Sequence, residues 1–245
     1  MGVLRIFATA IVLLIGVEAW AATPTPTSKP PNFVDVKTID LKAVLPPPPD
    51  TGSLADQTDK LTLLAVQAAR SPAESFEAKR DAGSGPMPWA ASLLGADFSA
   101  EKYPQLAKLL ADVRDDYDPL AHVSPHPARK RPSEQDARVQ PLVPFRHASY
   151  PSARTMGTRI WAHVIGDVMP QHRAALVAHA EKSAWLRVVA GVHFPSDLAG
   201  GLRVADAFIA RLSVNEAYRA RIVAARKEAD DMAKAASAKA AQPSR

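Results

Sequence analysis

No stretch of this sequence sustains the period-two alternation of a half-buried strand, and no Asn-Gly pair marks a hairpin turn. A chain of 245 residues, 47% of them apolar, must still bury a core. Helices are what remain. The chain is therefore expected to be all-α, a compact helical bundle carrying its functional residues on loops at helix ends. It shows no internal repeat, no phosphate-binding P-loop and no dinucleotide fingerprint.

Helix signals run along most of the chain after Gly52. Leu54, Leu61, Leu64 and Ala65 recur at helical spacing. Ser71-Pro72-Ala73-Glu74 reads as a capped helix start, with proline at the first position and glutamate three residues after the cap. A helix after Ser99 should carry Tyr103, Leu106, Leu109, Leu110 and Val113 inward. Further helices are expected at about 155–168, 171–184 and 197–212, the last with Gly200-Gly201 allowing close packing. Ser213 to Glu216 reads as another capping box, followed by a solvated Ala- and Lys-rich helix that frays past Ala235. The proline-rich segment from 119 to 144 reads as a long loop.

Four segments follow. Residues 1–21 read as an export signal: Arg5, an apolar run over 6–17 too short to span a bilayer, then Ala19-Trp20-Ala21 as a cleavage pattern. Residues 22–50 form a proline-rich arm, a tether or strap that ends in Pro46-Pro47-Pro48-Pro49-Asp50. Residues 51–213 form the helical domain, and 214–245 the C-terminal helix and tail. The mature protein is expected to be periplasmic or secreted, with no stable membrane insertion. Cysteine is absent, which excludes a thiol nucleophile, a thiolate zinc site and a redox motif. A net charge of +5 suits a small anionic substrate and is too weak and scattered for nucleic acid.

One constellation carries chemistry. Arg131 and Arg187 can grip phosphoryl oxygens through their forked guanidinium groups. Ser152 and the backbone at Ala153 open a helix, whose free N–H groups and positive dipole end attract anions. His193 is the best nucleophile available, and Asp197, four residues on, can hold its second ring nitrogen. Pro195 places the pair across a loop-to-helix junction. Each part also has an ordinary reading. Asp197 can cap its helix, Ser149-Tyr150-Pro151-Ser152 can be a plain turn, and Arg131 can belong to a solvated basic run with Arg129 and Lys130.

In order and spacing these residues resemble the class A bacterial non-specific acid phosphatases, within the superfamily of type 2 phosphatidic acid phosphatases and vanadium haloperoxidases. That family shows Lys-x6-Arg-Pro, then Pro-Ser-Gly-His, then Ser-Arg-x5-His-x3-Asp. This chain has Arg131-Pro132, Pro151-Ser152-Ala153-Arg154 and Leu186-Arg187-x5-His193-x3-Asp197. The resemblance extends over about residues 45–212 and takes in Leu45-Pro46-Pro47-Pro48-Pro49-Asp50, Gln67 to Pro72 and Leu94 to Phe98. It implies the helical fold of that superfamily and hydrolysis of phosphomonoesters with no cofactor and no metal. It also implies that His193 attacks phosphorus, with Asp197 orienting it, and that Arg131, Ser152, Ala153, Arg154 and Arg187 hold phosphate.

The departures bear on catalysis. The family lysine is Ser124 here, the motif serine is Leu186, and the histidine that protonates the leaving group is Arg154. A guanidinium stabilises negative charge but does not shuttle protons. Two readings follow. One is an exported phosphatase with weakened activity, biased toward activated esters. The other is a catalytically inactive member that keeps a phosphate or anion site. Haloperoxidase chemistry and membrane lipid hydrolysis fit less well.

Overall fold

A computed structural model describes residues 30–240 of the chain. The signal-sequence reading of residues 1–21, the first part of the arm and residues 241–245 lie outside it. Among the described residues there is no strand, and the fold is all-α. Ten α-helices follow one another: α1 Leu41–Val44, α2 Leu54–Ala69, α3 Pro72–Ala82, α4 Pro86–Leu94, α5 Pro104–Tyr117, α6 Pro132–Gln135, α7 Ala153–Val168, α8 Arg173–Val189, α9 Pro195–Val214 and α10 Glu216–Ala240. Among the described residues, no helix is long and apolar enough to cross a membrane.

α7 is the central element because it is buried nearly all round. Met156, Ile160, Trp161, Val164, Ile165 and Val168 are all buried on it. It packs against α8 and α9 along its length and against α5 and α10 elsewhere. α10 docks through Tyr218, Ile222, Ala225 and Ala229 and is helical to Ala240, beyond the point where fraying is expected from composition. Each fully buried aliphatic side chain here contributes roughly 1.5–3 kcal/mol relative to exposure.

The arm is a strap. The Asp116 carboxylate accepts the backbone N–H groups of Asn32, Phe33 and Val34 at 2.7, 2.7 and 2.9 Å. Val34, Ile39 and Leu45 are buried, and the Pro46 carbonyl accepts the Tyr150 hydroxyl at 2.7 Å. The strap thus runs to the turn that precedes α7.

Several expectations are corrected in detail. α2 forms with Ser53 as its cap, but Leu54 and Leu61 face solvent, and the buried face carries Asp56, Asp59 and Leu63. The two carboxylates are drawn inward by Arg129. The capping box at Ser213 does not form: α9 continues through Val214, the Ser213 hydroxyl lies 3.1 Å from His163 Nε2, and Asn215 Oδ1 accepts the Tyr218 N–H instead. α4 is a helix that the sequence pattern did not suggest, α5 starts at Pro104 rather than soon after Ser99, and α6 interrupts the long loop.

Candidate active site

His193 is placed by the way α8 ends. Gly191 adopts φ 71°, a left-handed conformation that glycine tolerates best. Its N–H donates to the Val188 carbonyl at 2.9 Å, and the Val192 N–H donates to the Arg187 carbonyl at 3.2 Å. This closes α8 as a Schellman turn. The chain reverses there, so Arg187 on the last turn and His193 just beyond it are brought close enough to interact. α9 then begins at Pro195, and Asp197 in its first turn accepts the Phe194 N–H at 2.8 Å.

Asp197 is fully buried, and its oxygens have separate tasks. Oδ1 accepts Arg129 Nη1 at 2.7 Å. Oδ2 accepts the Ser149 hydroxyl at 2.6 Å and lies 3.4 Å from His193 Nδ1. That last contact is too poorly aligned to count as a formed hydrogen bond, and Nδ1 has no other partner. Burial raises the Asp197 carboxyl, but His193, Arg129 and Ser149 outweigh it and hold the group below the usual carboxylate range.

On the other side of the ring, Arg131 Nη1 lies 2.8 Å from His193 Nε2. A guanidinium only donates, so Nε2 must be the acceptor nitrogen and the proton of the neutral ring sits on Nδ1, toward Asp197. Burial pushes His193 down to about 4, Asp197 opposes this, and Arg131 and Arg187 add to it. Arg131 is itself anchored by the carbonyls of His147 and Val192, each at 2.8 Å.

Arg187 is buried, and its Nε and Nη1 have no hydrogen-bond partner. Burial lowers it to about 10, with Arg154 and Arg131 adding repulsion. A buried guanidinium with idle donors is costly unless an anion meets it. Among the described residues, no group of three His, Asp or Glu side chains is arranged to hold a metal ion. The donors around Nε2 are cationic and suit an anion.

α7 starts where the sequence places it. Ser152 is the N-cap, accepting the Thr155 N–H at 3.4 Å and the Thr155 hydroxyl at 3.0 Å. Its own N–H donates to the Asp197 carbonyl at 3.0 Å, which sets the start of α7 beside α9. Gly200 and Gly201 permit this approach, since a Cβ at either would meet Tyr150 or the Ser152 carbonyl within 2.6 Å. The amides of Ala153 and Arg154 lie in the first helical turn and have no intrahelical partner by geometry.

Arg154 does not join this group through its side chain. Its guanidinium donates to the Asp81 carboxylate and carbonyl and to the Ser84 carbonyl and hydroxyl, at 2.6–3.2 Å. It lies over the Trp161 ring at 5.0 Å. It therefore braces the end of α3. A cavity of about 390 Å³ reaches the start of α7 past Ala153, Arg154 and Gly157, and another of about 530 Å³ is lined by Asp81, Ser84, Trp89 and Leu186. Neither cation beside the lost lysine replaces it: Arg129 turns to Asp59 and Asp197, and Lys130 is exposed. Ser124 accepts the His126 N–H at 3.2 Å.

Sequence reasoning missed Ser149 and Arg129 as partners of Asp197, and Asp59 as the further partner of Arg129. The signal for Asp59 was present. Asp56, Asp59 and Leu63 fall at helical spacing, so burying Leu63 buries both acids.

No protein-family model matches the chain. Three relatives do. A non-specific acid phosphatase of Providencia stuartii is 23% identical over 82% of this chain and 86% of its own length. An acid phosphatase of Zymomonas mobilis is 25% identical over 90% of this chain and 86% of its own length. A non-specific acid phosphatase of Salmonella typhi is 23% identical over 89% of this chain and 90% of its own length. A solved transmembrane PAP2 type phosphatidylglycerolphosphate phosphatase from Bacillus subtilis aligns with 18% identity and a TM-score of 0.43, over 65% of this chain and 86% of that one. Acid phosphatases thus match this chain along most of its length at 23–25% identity, and the chain is similar to the bacterial non-specific acid phosphatases.

Proposed function

We propose that this protein is an exported phosphomonoesterase in which His193 forms a phosphohistidine intermediate. The observation that carries the reading is the state of the imidazole. Its Nε2 lone pair faces Arg131 at 2.8 Å, and its Nδ1 faces Asp197. A phosphoryl group entering the site takes Arg131 as a ligand and frees Nε2. Arg131, the idle donors of Arg187 and the first amides of α7 hold its equatorial oxygens. Nε2 bonds to phosphorus as the ester P–O bond breaks, and Asp197 stabilises the proton on Nδ1. Water then attacks the phosphohistidine, releasing inorganic phosphate and restoring neutral His193.

The leaving oxygen has no histidine to protonate it. Arg154 stands at that position with its donors committed to Asp81 and Ser84. We assign it to holding α3 against α7 rather than to gripping phosphate. An alkoxide leaves poorly without an acid, whereas a phenolate leaves readily. The reading thus favours aryl over alkyl phosphates.

A second reading, a phosphate-binding protein without turnover, draws on that same commitment of Arg154 and on the burial of His193, which is 4% exposed. One assay separates the two. Aryl and alkyl phosphates are offered to the mature protein between pH 4 and 8, beside His193→Ala. Aryl turnover that vanishes in His193→Ala supports the enzyme. Arg154→His should then raise alkyl turnover by about 10²-fold, the ordinary contribution of a general acid. No turnover of either ester above the His193→Ala background leaves an anion-binding protein.

A further inference from the structure

Behind Asp197 lies a line of buried charge that the phosphatase motifs do not include. Arg129 spans it with its two terminal nitrogens. Nη1 reaches Asp197 Oδ1 and the Ser196 hydroxyl, each at 2.7 Å. Nη2 reaches Asp59 Oδ2 at 2.8 Å and lies 3.5 Å from Asp56 Oδ1. The guanidinium rests on the Phe194 ring at 4.2 Å. Asp59 also accepts the backbone N–H of Ser196 at 3.1 Å and the Ser196 hydroxyl. Asp56, Asp59, Arg129 and Asp197 are all buried.

Such a cluster is an expensive way to build a core, since charges leave water and recover the loss only in good geometry. Its placement points to another role. A carboxylate's terminal torsion is soft, so a lone Asp197 could swing away from the imidazole. Arg129 fixes Oδ1, which leaves Oδ2 facing Nδ1. Asp59 fixes Arg129 in turn and offsets its positive charge, which would otherwise weaken Asp197 as an acceptor for the Nδ1 proton.

We propose that Arg129 and Asp59 are positioning residues for the phosphoryl-transfer step: the chain Asp59–Arg129–Asp197 holds Oδ2 of Asp197 against the Nδ1 proton of His193, on the side of the ring opposite Arg131. The proposal rests on His193 as the nucleophile, but its main readout does not require turnover.

The test uses the mature protein labelled with ¹⁵N-histidine. NMR reports the Nδ1–H proton of His193 and how strongly it is held, with His193→Ala assigning the signal. In Asp59→Asn and Arg129→Lys, Arg131 still keeps the proton on Nδ1, but its resonance should move upfield as Asp197 loosens. The lysine keeps the charge, but one ammonium cannot span both carboxylates as the fork does. For an aryl phosphate, kcat should fall about 10- to 100-fold, the usual effect of removing a partner that orients a functional histidine, with KM nearly unchanged. Should either variant fail to fold, Ser196→Ala removes the hydroxyl shared by Arg129 and Asp59 without leaving a buried charge unpaired, and a smaller upfield move is expected. Folded variants with the wild-type Nδ1–H resonance and kcat overturn the proposal, and so does a fall in Tm alone. A wild type that hydrolyses no ester defeats the phosphatase reading instead, while the Nδ1–H measurement still decides this one.

Discussion

The sequence contains His-x3-Asp twice, once buried and once half-buried, and the two copies behave differently. His193 and Asp197 straddle the junction between the turn after α8 and the start of α9. His163 and Asp167 sit one turn apart within α7. In the second pair, His163 Nε2 lies 3.3 Å from Asp167 Oδ2, and the Ser213 hydroxyl lies 3.1 Å from the same nitrogen. Asp167 also accepts Arg173 at 2.6 Å and the Tyr218 hydroxyl at 2.9 Å. Serine, histidine and aspartate are all present there, yet they make no relay. A relay needs the base to face its nucleophile with one nitrogen and its orienting acid with the other. This cluster instead fastens α7 to α8, α9 and α10.

Location explains the difference. Inside a helix, residues i and i+4 emerge on one face, and the aspartate reaches the far end of the imidazole. At a loop-to-helix junction, Asp197 is held by the Phe194 N–H and lies beside the near nitrogen, which leaves the far one to Arg131. Residue spacing is the same in both; the backbone between the two residues decides which nitrogen remains for chemistry.

The largest expected contrast is in rate. His193→Ala should lower aryl phosphate turnover by on the order of 10⁴-fold or more, as loss of a nucleophile does. His163→Ala should leave kcat within about twofold and lower Tm by a few degrees, because it cuts a link between helices remote from the chemistry. An equal loss of rate in both variants, with both folded, would erase the distinction.

The pH dependence sharpens it. Burial lowers both histidines below the ordinary value, His193 to about 4. Above that value Nε2 keeps its lone pair; below it the ring protonates and cannot attack. The acid limb of kcat/KM should therefore fall with a midpoint near pH 4, about tenfold per pH unit, and should be unmoved by His163→Ala. Stability follows the linked sign. An unfolded histidine takes up a proton near 6.5, and these two in the folded protein resist it. Their contribution is present above 6.5 and declines as pH falls toward the folded value. Tm measured between pH 6.5 and 4 should fall less steeply in either alanine variant.

The limits of reading this sequence follow from the same contrast. Local signals were legible. Ser71 caps α3 with Glu74 as its pattern implies, Ser152 opens α7, and Gly200-Gly201 admits the neighbouring turn. The order of Arg131, Arg187, His193 and Asp197 was legible through a family likeness. Side-chain direction was not. Arg154 turns toward Asp81, which lies 73 residues away in the chain, and no local pattern encodes that choice. The inward face of α2 was missed because two aspartates look solvated until a buried arginine is known to meet them. Ser213 resembled a helix cap, but His163, 50 residues upstream, takes its hydroxyl. α4 was missed because its run from Met87 to Leu94 is short and follows a Gly-Ser-Gly turn.

The smallest expected effects come from the two serines, and they probe the comparison most finely. Ser149 donates its hydroxyl to Asp197 at 2.6 Å, and Ser213 makes its contact with His163 at 3.1 Å. Changing either to alanine deletes one buried or half-buried hydrogen bond, worth about 1 kcal/mol of stability. The two variants should therefore lose similar amounts of Tm, roughly 2–4 °C for a chain of this size. Their rates should diverge. Without Ser149, Asp197 Oδ2 keeps only the Phe194 N–H as a fixed donor, so its hold on Nδ1 loosens and kcat should drop by about tenfold. Without Ser213, the imidazole loosened is one that no substrate meets, and kcat should stay at the wild-type value. Thermal melts and initial rates on the two proteins together decide the matter. Equal rates in the two variants would mean that Asp197 needs no help from Ser149, and that the site is held by Arg129 and the helix start alone.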